Sequence, residues 1–198
     1  MKRIIPLVML LAITVSTAQA QLFKKRDTSV KKEYSIGSVT TINNKVTFEE
    51  TIPAQELTAK EVEEVVKQWF AERFVKPTII GFKAYDAEKP NTLVAKAEEY
   101  IVFRNTFFVL NRSRIAYFLT ITCNDGNCVF NMSRISYWWD EEASDGGLKM
   151  TAEECITDSN AIKKNGKLKR FNGKFRTKTI DLKDTLIEDL KNRLNAKK

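Results

Sequence analysis

The sequence predicts an α+β domain in which helices pack on one face of a curved antiparallel sheet, followed by a C-terminal helical extension. Three observations support this class. An amphipathic helix pattern precedes four strand-like segments, and leucines recur at every fourth position near the C terminus. Strands that follow one another through short connections favour antiparallel neighbours. We therefore expect a domain over residues 37–140 and an extension with two helices over 141–198.

Residues 1–20 have the pattern of a cleaved secretory signal. A basic start, Met1-Lys2-Arg3, precedes twelve mainly apolar residues, and Ala18-Gln19-Ala20 supplies the small residues that signal peptidase needs. The apolar run is too short to span a membrane, and no cysteine follows Ala20 as a lipid acceptor. We expect a protein of the periplasm or the extracellular space, with no later transmembrane span.

Removal of the signal leaves 178 residues with a formal charge of +6. Residues 21–36 are basic and aperiodic, and we expect a flexible leader there. Its lysines could contact an anionic envelope surface, but a solvated spacer is the simpler interpretation.

Residues 37–52 have the alternating pattern of a strand that ends at Pro53. Asn43-Asn44 could split it into a hairpin. The amphipathic helix follows, because Thr58 and Glu61 form a capping box and Lys76-Pro77 ends the periodic pattern. Its apolar face comprises Val62, Val65, Val66, Trp69, Phe70 and Phe74.

Four strands are predicted next, over 78–85, 93–104, within 106–123, and over 128–139. The last two flank Asn124-Asp125-Gly126-Asn127, whose Asp-Gly pair suits a type I′ turn. That register places Cys123 opposite Cys128 in a non-hydrogen-bonded pair, where a disulfide could form in an exported protein. Two packed thiols are the alternative, and Cys155 would then be a buried thiol.

Strict alternation sorts these strands into two faces. Leu119, Ile121, Cys123, Cys128, Phe130 and Met132 form the predicted core face. The other face is mixed, and aromatic side chains on an open sheet face suggest an interaction surface, unless another element covers it. Its candidate residues are Phe118, Thr120, Asn131, Ile135, Tyr137 and Trp139.

In the extension, Thr151 and Glu154 form a second capping box, and Asp181 could cap a last helix with leucines at 182, 186, 190 and 194. Residues 163–178 are basic with no acidic residue. The candidate anion-binding residues there are Lys167, Lys169, Arg170, Lys174 and Arg176. A loop with solvated charges is the favoured alternative, because basic patches often lack a dedicated partner.

The absence of histidine excludes Ser-His-Asp and Cys-His catalysis and histidine-ligated metal centres. No phosphate-binding or nucleotide-binding motif is present. The acidic turn at 140–147 lacks the spacing of a calcium loop and is expected to be solvated. The sequence therefore predicts no catalytic, cofactor or metal residues and favours a non-enzymatic protein.

Carboxylates are the chemistry that remains. Glu98 with Glu99, or Asp86 with Glu88, could serve in glycan cleavage. Adjacent glutamates in a strand point to opposite faces, which argues against the first pair.

A family resemblance rests on three stretches: Val46-Thr-Phe-Glu-Glu, Glu64-Val-Val-Lys-Gln-Trp-Phe, and Arg114-Ile-Ala-Tyr-Phe-Leu-Thr-Ile-Thr-Cys-Asn-Asp-Gly. Over roughly residues 37–140 the chain resembles the domain of unknown function 4468 family, exported bacterial proteins with a fold like that of the TATA-binding protein (TBP). The resemblance implies a β-α-β(4)-α arrangement with a curved sheet. It implies no activity and no functional residues, and a shared fold does not imply DNA binding.

We therefore expect a binding or interaction module of the bacterial envelope that uses the open sheet face or the basic C-terminal segment. A carboxylate-dependent enzyme acting on an envelope glycan and a structural subunit of an envelope assembly are the alternatives. The partner is unknown; a protein or an anionic envelope polymer would fit, whereas export argues against nucleic acid.

Overall fold

A computed structural model describes residues 30–106 and 109–197 of the chain. The predicted signal peptide and residues 21–29 of the predicted leader lie outside the described residues. Residues Lys32–Tyr34 form a short 3₁₀-helix, and Arg176 donates hydrogen bonds to the carbonyl oxygens of Tyr34 and Ser35. The expectation of a flexible leader is therefore corrected for residues 32–35, which are held against the C-terminal extension.

The described strands form one antiparallel sheet, which confirms the α+β class. Its spatial order is β1-β2-β6-β5-β4-β3, and β7 pairs with the second half of β6. The strands are β1 Thr41–Ile42, β2 Lys45–Pro53, β3 Ile79–Tyr85, β4 Thr92–Thr106, β5 Val109–Asn124, β6 Asn127–Trp139 and β7 Leu148–Thr151. The sequence pattern located β2 to β6 but gave no signal for β7.

Four α-helices are described: α1 Ala59–Arg73, α2 Ala152–Cys155, α3 Asp158–Ala161 and α4 Asn172–Ala196. Both predicted capping boxes are present, at Thr58 and at Thr151. α4 begins nine residues before Asp181, so Asp181 does not cap it; its carboxylate instead accepts a hydrogen bond from Tyr34 Oη. No helix in the described part of the chain has both the length and the hydropathy to cross a membrane.

The core lies between the sheet and these helices. The apolar face of α1 is buried as predicted, with Trp69 fully inaccessible to solvent. α4 contributes Phe175, Ile180, Leu186, Leu190 and Leu194. The strands contribute every residue of the predicted core face, including Leu119, Phe130 and Met132.

Two tight turns fix the hairpins. Asn43 and Asn44 both have positive φ, at 50° and 61°, as a type I′ turn requires, so the hairpin alternative is correct. At the β5–β6 turn only Gly126 has positive φ, and the type I′ prediction is wrong there. The Asp125 carboxylate accepts from the Ala59 amide, and the Gly126 amide donates to Leu57 O. The β5–β6 turn is thus anchored to the start of α1.

Candidate functional site

α1 and α4 bury their apolar side chains against one face of the sheet, whereas the central strand side chains of the other face stay half-buried. We call this second surface the open face. Its central side chains are all half-buried: Lys96, Glu98, Arg114, Ala116, Phe118, Thr120, Asn131, Ser136 and Trp138. Phe118, Thr120 and Asn131 lie there as the sequence predicts.

A β-bulge moves the other three predicted residues to the core side. Ser133 pairs with Phe118 but Ser136 pairs with Ala116, so two residues of β6 stand opposite Tyr117 alone. Arg134, one of the two, has a φ of 51°. An extra residue in one strand reverses the alternation beyond it.

Ile135, Tyr137 and Trp139 are therefore not part of the open face, and their prediction is corrected. Ile135 and Tyr137 are 2% and 3% exposed. Tyr137 Oη is 2.7 Å from Thr179 Oγ1 in α4, and the Trp139 ring packs edge-on against Phe171. The residue that strict alternation missed is Trp138. A sequence signal existed, because uninterrupted alternation after Met132 would bury the charged Arg134.

Four side chains, one from each of the strands β4, β5, β6 and β7, form a row across the sheet, which we call the Trp138 row: Tyr100, Arg114, Trp138 and Lys149. Successive members are direct cross-strand partners, Tyr100 with Arg114, Arg114 with Trp138, and Trp138 with Lys149. Arg114 Cζ is 5.0 Å and Lys149 Nζ 4.4 Å from the centre of the indole. The indole Nε1 donates to Gly146 O at 2.7 Å. Both cations are thereby positioned by one aromatic ring.

The acidic turn closes one side of the Trp138 row. Glu141 accepts from Tyr100 Oη at 2.6 Å, and its other oxygen is 2.6 Å from Arg114 Nη2. This hydrogen bond raises the pKa of Tyr100. Glu142 is 3.5 Å from Arg112, whose guanidinium lies 3.8 Å from the centre of the Tyr100 ring. The expectation that this turn is simply solvated is wrong for Glu141.

Two shallow cavities flank the row. One, of about 310 Å³, lies between Tyr100, Arg112 and the acidic turn. The second, of about 380 Å³, has small residues, Ala116 and Ser136, between the side chains of Trp138, Lys96 and Lys149. Its lining is more apolar than polar, and its three cations, Lys96, Arg114 and Lys149, outnumber its two carboxylates, Glu98 and Glu154, by one charge. This small excess of positive charge favours an anionic group.

The basic C-terminal candidates do not form one site. Arg176 is fully buried and donates to three carbonyl oxygens, those of Tyr34, Ser35 and Ile156, while lying 2.8 Å from Asp158 Oδ1. It is a structural residue, so its prediction as an anion ligand is corrected. Lys169 Nζ donates to Ser159 O. Lys167, Arg170 and Lys174 remain exposed.

The three cysteines are buried free thiols. Cys123 and Cys128 are cross-strand partners, as the turn register predicts. Burial raises the pKa of Cys123 to about 11 and that of Cys128 to about 12. The disulfide stays a prediction, and the geometry fits the packed-thiol alternative.

Neither of the two carboxylate pairs considered for glycan cleavage forms a site. Glu98 is on the open face, 3.7 Å from Arg114 Nη1, whereas Glu99 is buried against α1. Asp86 and Glu88 are exposed in the β3–β4 connection, outside both cavities. Among the residues that the structure describes, no cluster of three metal-ligating side chains was found.

Comparisons with known proteins agree with this architecture. Residues 48–138 match the family model described as a domain of unknown function (DUF4468) with TBP-like fold. A DUF4468 family protein from Bacteroides ovatus ATCC 8483 is similar in structure, with a TM-score of 0.75 and 28% identity over 84% of this chain and 95% of that one. No functionally curated protein matches the sequence.

A second solved structure supports the fold alone. It is a TBP-like protein from Parabacteroides distasonis ATCC 8503, with a TM-score of 0.63 and 18% identity, and the match covers 79% of this chain and 97% of that one. These matches confirm the predicted family resemblance and the TBP-like fold.

Proposed function

We propose that this chain, whose residues 48–138 match the family model of a domain of unknown function (DUF4468) with a TBP-like fold, is an exported binding module of the bacterial envelope that engages its partner through the open face. Export rests on the signal pattern of residues 1–20. A periplasmic or secreted location is part of the proposal.

The observation that carries the proposal is the cation–aromatic pairing on the open face. Arg114 and Lys149 lie against Trp138, and Arg134 lies 5.1 Å from the centre of the Phe118 ring. Ordinary sheet surfaces lower their energy by pairing opposite charges. Arg114 is paired in this way with Glu98 and Glu141, whereas Lys149 and Arg134 are held beside aromatic rings without a carboxylate within ion-pair distance in the described part of the chain. Charges that are held in position before binding favour recognition.

The basic C-terminal segment supports the alternative binding surface less well. Arg176 donates its hydrogen bonds to backbone carbonyl oxygens, and Lys169 Nζ donates to Ser159 O. The open face therefore replaces that segment as the proposed binding surface.

Site-specific photo-crosslinking in the native envelope tests the proposal. A photoreactive residue at Thr120 or Ser136 samples the open face, and one at the exposed Lys191 of α4 serves as the matched control. We expect adducts from the first two positions that excess unlabelled protein suppresses. Adducts from Lys191 alone, or equal adducts from all three positions, would contradict the proposed surface.

A further inference from the structure

A group of unneutralised cations surrounds Phe118 on the open face. Lys83 and Lys96 are direct cross-strand partners on β3 and β4, and Lys96 is also the partner of Phe118. Arg134 lies over the Phe118 ring, and Tyr85 stacks beside it at 5.9 Å. We call Lys83, Lys96, Phe118 and Arg134 the Phe118 cluster.

This arrangement has a cost that folding does not require. Like charges directly opposite each other in a sheet are destabilising. Within the described residues, none of Lys83, Lys96 and Arg134 has a carboxylate within ion-pair distance, whereas Arg114 has two. A negatively charged ligand would offset the repulsion.

The cations are spread rather than focused. Lys96 on β4 and Lys149 on β7 both line the second cavity, together with the carboxylates of Glu98 and Glu154. Three strand spacings, roughly 14 Å, separate the two lysines across the sheet, and Lys96 also lies four residues along β4 from Tyr100, which is in the row of Lys149. Charges distributed over such a distance suit a ligand with repeated negative groups. A small ligand with a single charge could contact only one end.

The remaining open-face side chains indicate what else the ligand carries. Thr120 and Ser133 offer hydroxyl groups next to the cations, and Asn131, whose Nδ2 donates to Glu49 Oε2 at 3.2 Å, offers its amide oxygen. β5 and β6 are central strands whose backbone groups are already paired, so a polypeptide could not add to them as a strand, its usual mode on a sheet. Side chains that bind hydroxyls and carboxylates together fit an acidic sugar.

On the basis of the proposed open-face function, we infer that the Phe118 cluster and the neighbouring cavity bind an acidic polysaccharide through its carboxylates. Lys83, Lys96 and Arg134 contact successive carboxylates. Thr120, Asn131 and Ser133 bind sugar hydroxyls, and Lys149 extends the site past Trp138. The ligand thus lies across the strands rather than along an edge.

Calorimetric titration of the mature protein with oligogalacturonate tests this inference. The key variant is the double substitution Lys83→Gln/Lys96→Gln. Its control, Lys167→Gln/Lys174→Gln, removes the same charge from exposed lysines of the basic C-terminal segment. We expect the first to weaken binding about tenfold, equivalent to about 1.4 kcal/mol, and the control to weaken it less than twofold. Methyl-esterified oligogalacturonate, which is neutral, should not bind.

Three outcomes would overturn the inference: no binding of oligogalacturonate at low salt, equal losses in the two double variants, or tighter binding of polyglutamate or phosphatidylglycerol vesicles. Thermal unfolding checks that the variants fold, and Lys83→Gln/Lys96→Gln should unfold at a slightly higher temperature because the repulsion is gone. If oligogalacturonate does not bind while the open-face crosslinks still form, only the proposed ligand class is wrong. Failure of both removes the proposed function as well.

Discussion

Replacing Glu99 by glutamine is expected to destabilise the protein by about 3–5 kcal/mol. The Glu99 carboxylate is 5% exposed and lies between two buried partners. Arg73 Nη2 donates to its two oxygens at 3.2 and 2.9 Å, and Tyr117 Oη donates at 2.5 Å. A neutral amide would leave the Arg73 guanidinium buried without a counter-charge, and this desolvation is the source of the loss.

Glu98→Gln is the matched control, because the same chemical change is made one residue away on the opposite face. Glu98 is 28% exposed and 3.7 Å from Arg114, so its loss should cost no more than about 1 kcal/mol. Urea denaturation followed by tryptophan fluorescence measures both variants, with an unchanged m-value required for the comparison.

Removing both charges should restore much of the stability. Arg73→Met/Glu99→Leu leaves no isolated ion, and we expect it to be more stable than Glu99→Gln alone. Equal stabilities of Glu99→Gln and Glu98→Gln, or a double variant less stable than the single one, would refute the reasoning.

Three further predictions concern the acidic turn, the thiols and alkaline pH. Gly147→Ala should lower the free energy of unfolding by about 2–3 kcal/mol, because a Cβ atom at this position would clash with two carbonyl oxygens. Gly146 also has a positive φ but has open space around it, so Gly146→Ala should lower that free energy by only about 1 kcal/mol in the same urea assay. The three cysteines, with pKa values raised by burial to about 11 or 12, should react with a thiol reagent at pH 8 at least about 100-fold more slowly than exposed cysteine. Three thiols should titrate after denaturation, and a count of one would instead establish a disulfide. A hydrogen bond to Asp181 raises the pKa of Tyr34 to about 12, and burial raises that of Tyr117 well above 10. Because both pKa values exceed that of a tyrosine in the unfolded chain, the stability that the two protonated phenols supply is complete below about pH 10. The contribution of Tyr34 is lost as the pH rises through 12, so a urea midpoint unchanged up to pH 12 would contradict this.

The elements that the sequence predicts well are those with a local physical cause. The capping box at Thr58 and the 3.6-residue period fix α1 without help from the rest of the chain. The β5–β6 register follows from the turn at Gly126, since no other residue there accepts its positive φ as readily. The buried side chains of β5, among them Leu119 and Ile121, follow from the alternation of apolar and polar residues alone.

The errors arise where tertiary contacts override local pattern. The bulge at Arg134 reverses the faces of β6, and alternation cannot count an extra residue. The first turns of α4 look like a basic loop because Arg176 is charged, yet its guanidinium is satisfied by carbonyls distant in sequence. The same segment also needs a glycine at position 173, because a Cβ atom there would collide with the Leu168 side chain. Neither contact is visible before the chain is folded.

Hydroxyl-radical footprinting in the native envelope is the most direct test of the claim that the open face is the binding surface. Oxidation rates of Phe118 and Trp138 are compared between envelope preparations and the purified protein, with the exposed Phe171 at the start of α4 as internal reference. We predict that the first two are protected several-fold in the envelope while Phe171 is unchanged. Equal rates at Phe118 and Trp138 in both preparations, or protection confined to Phe171, would contradict the account.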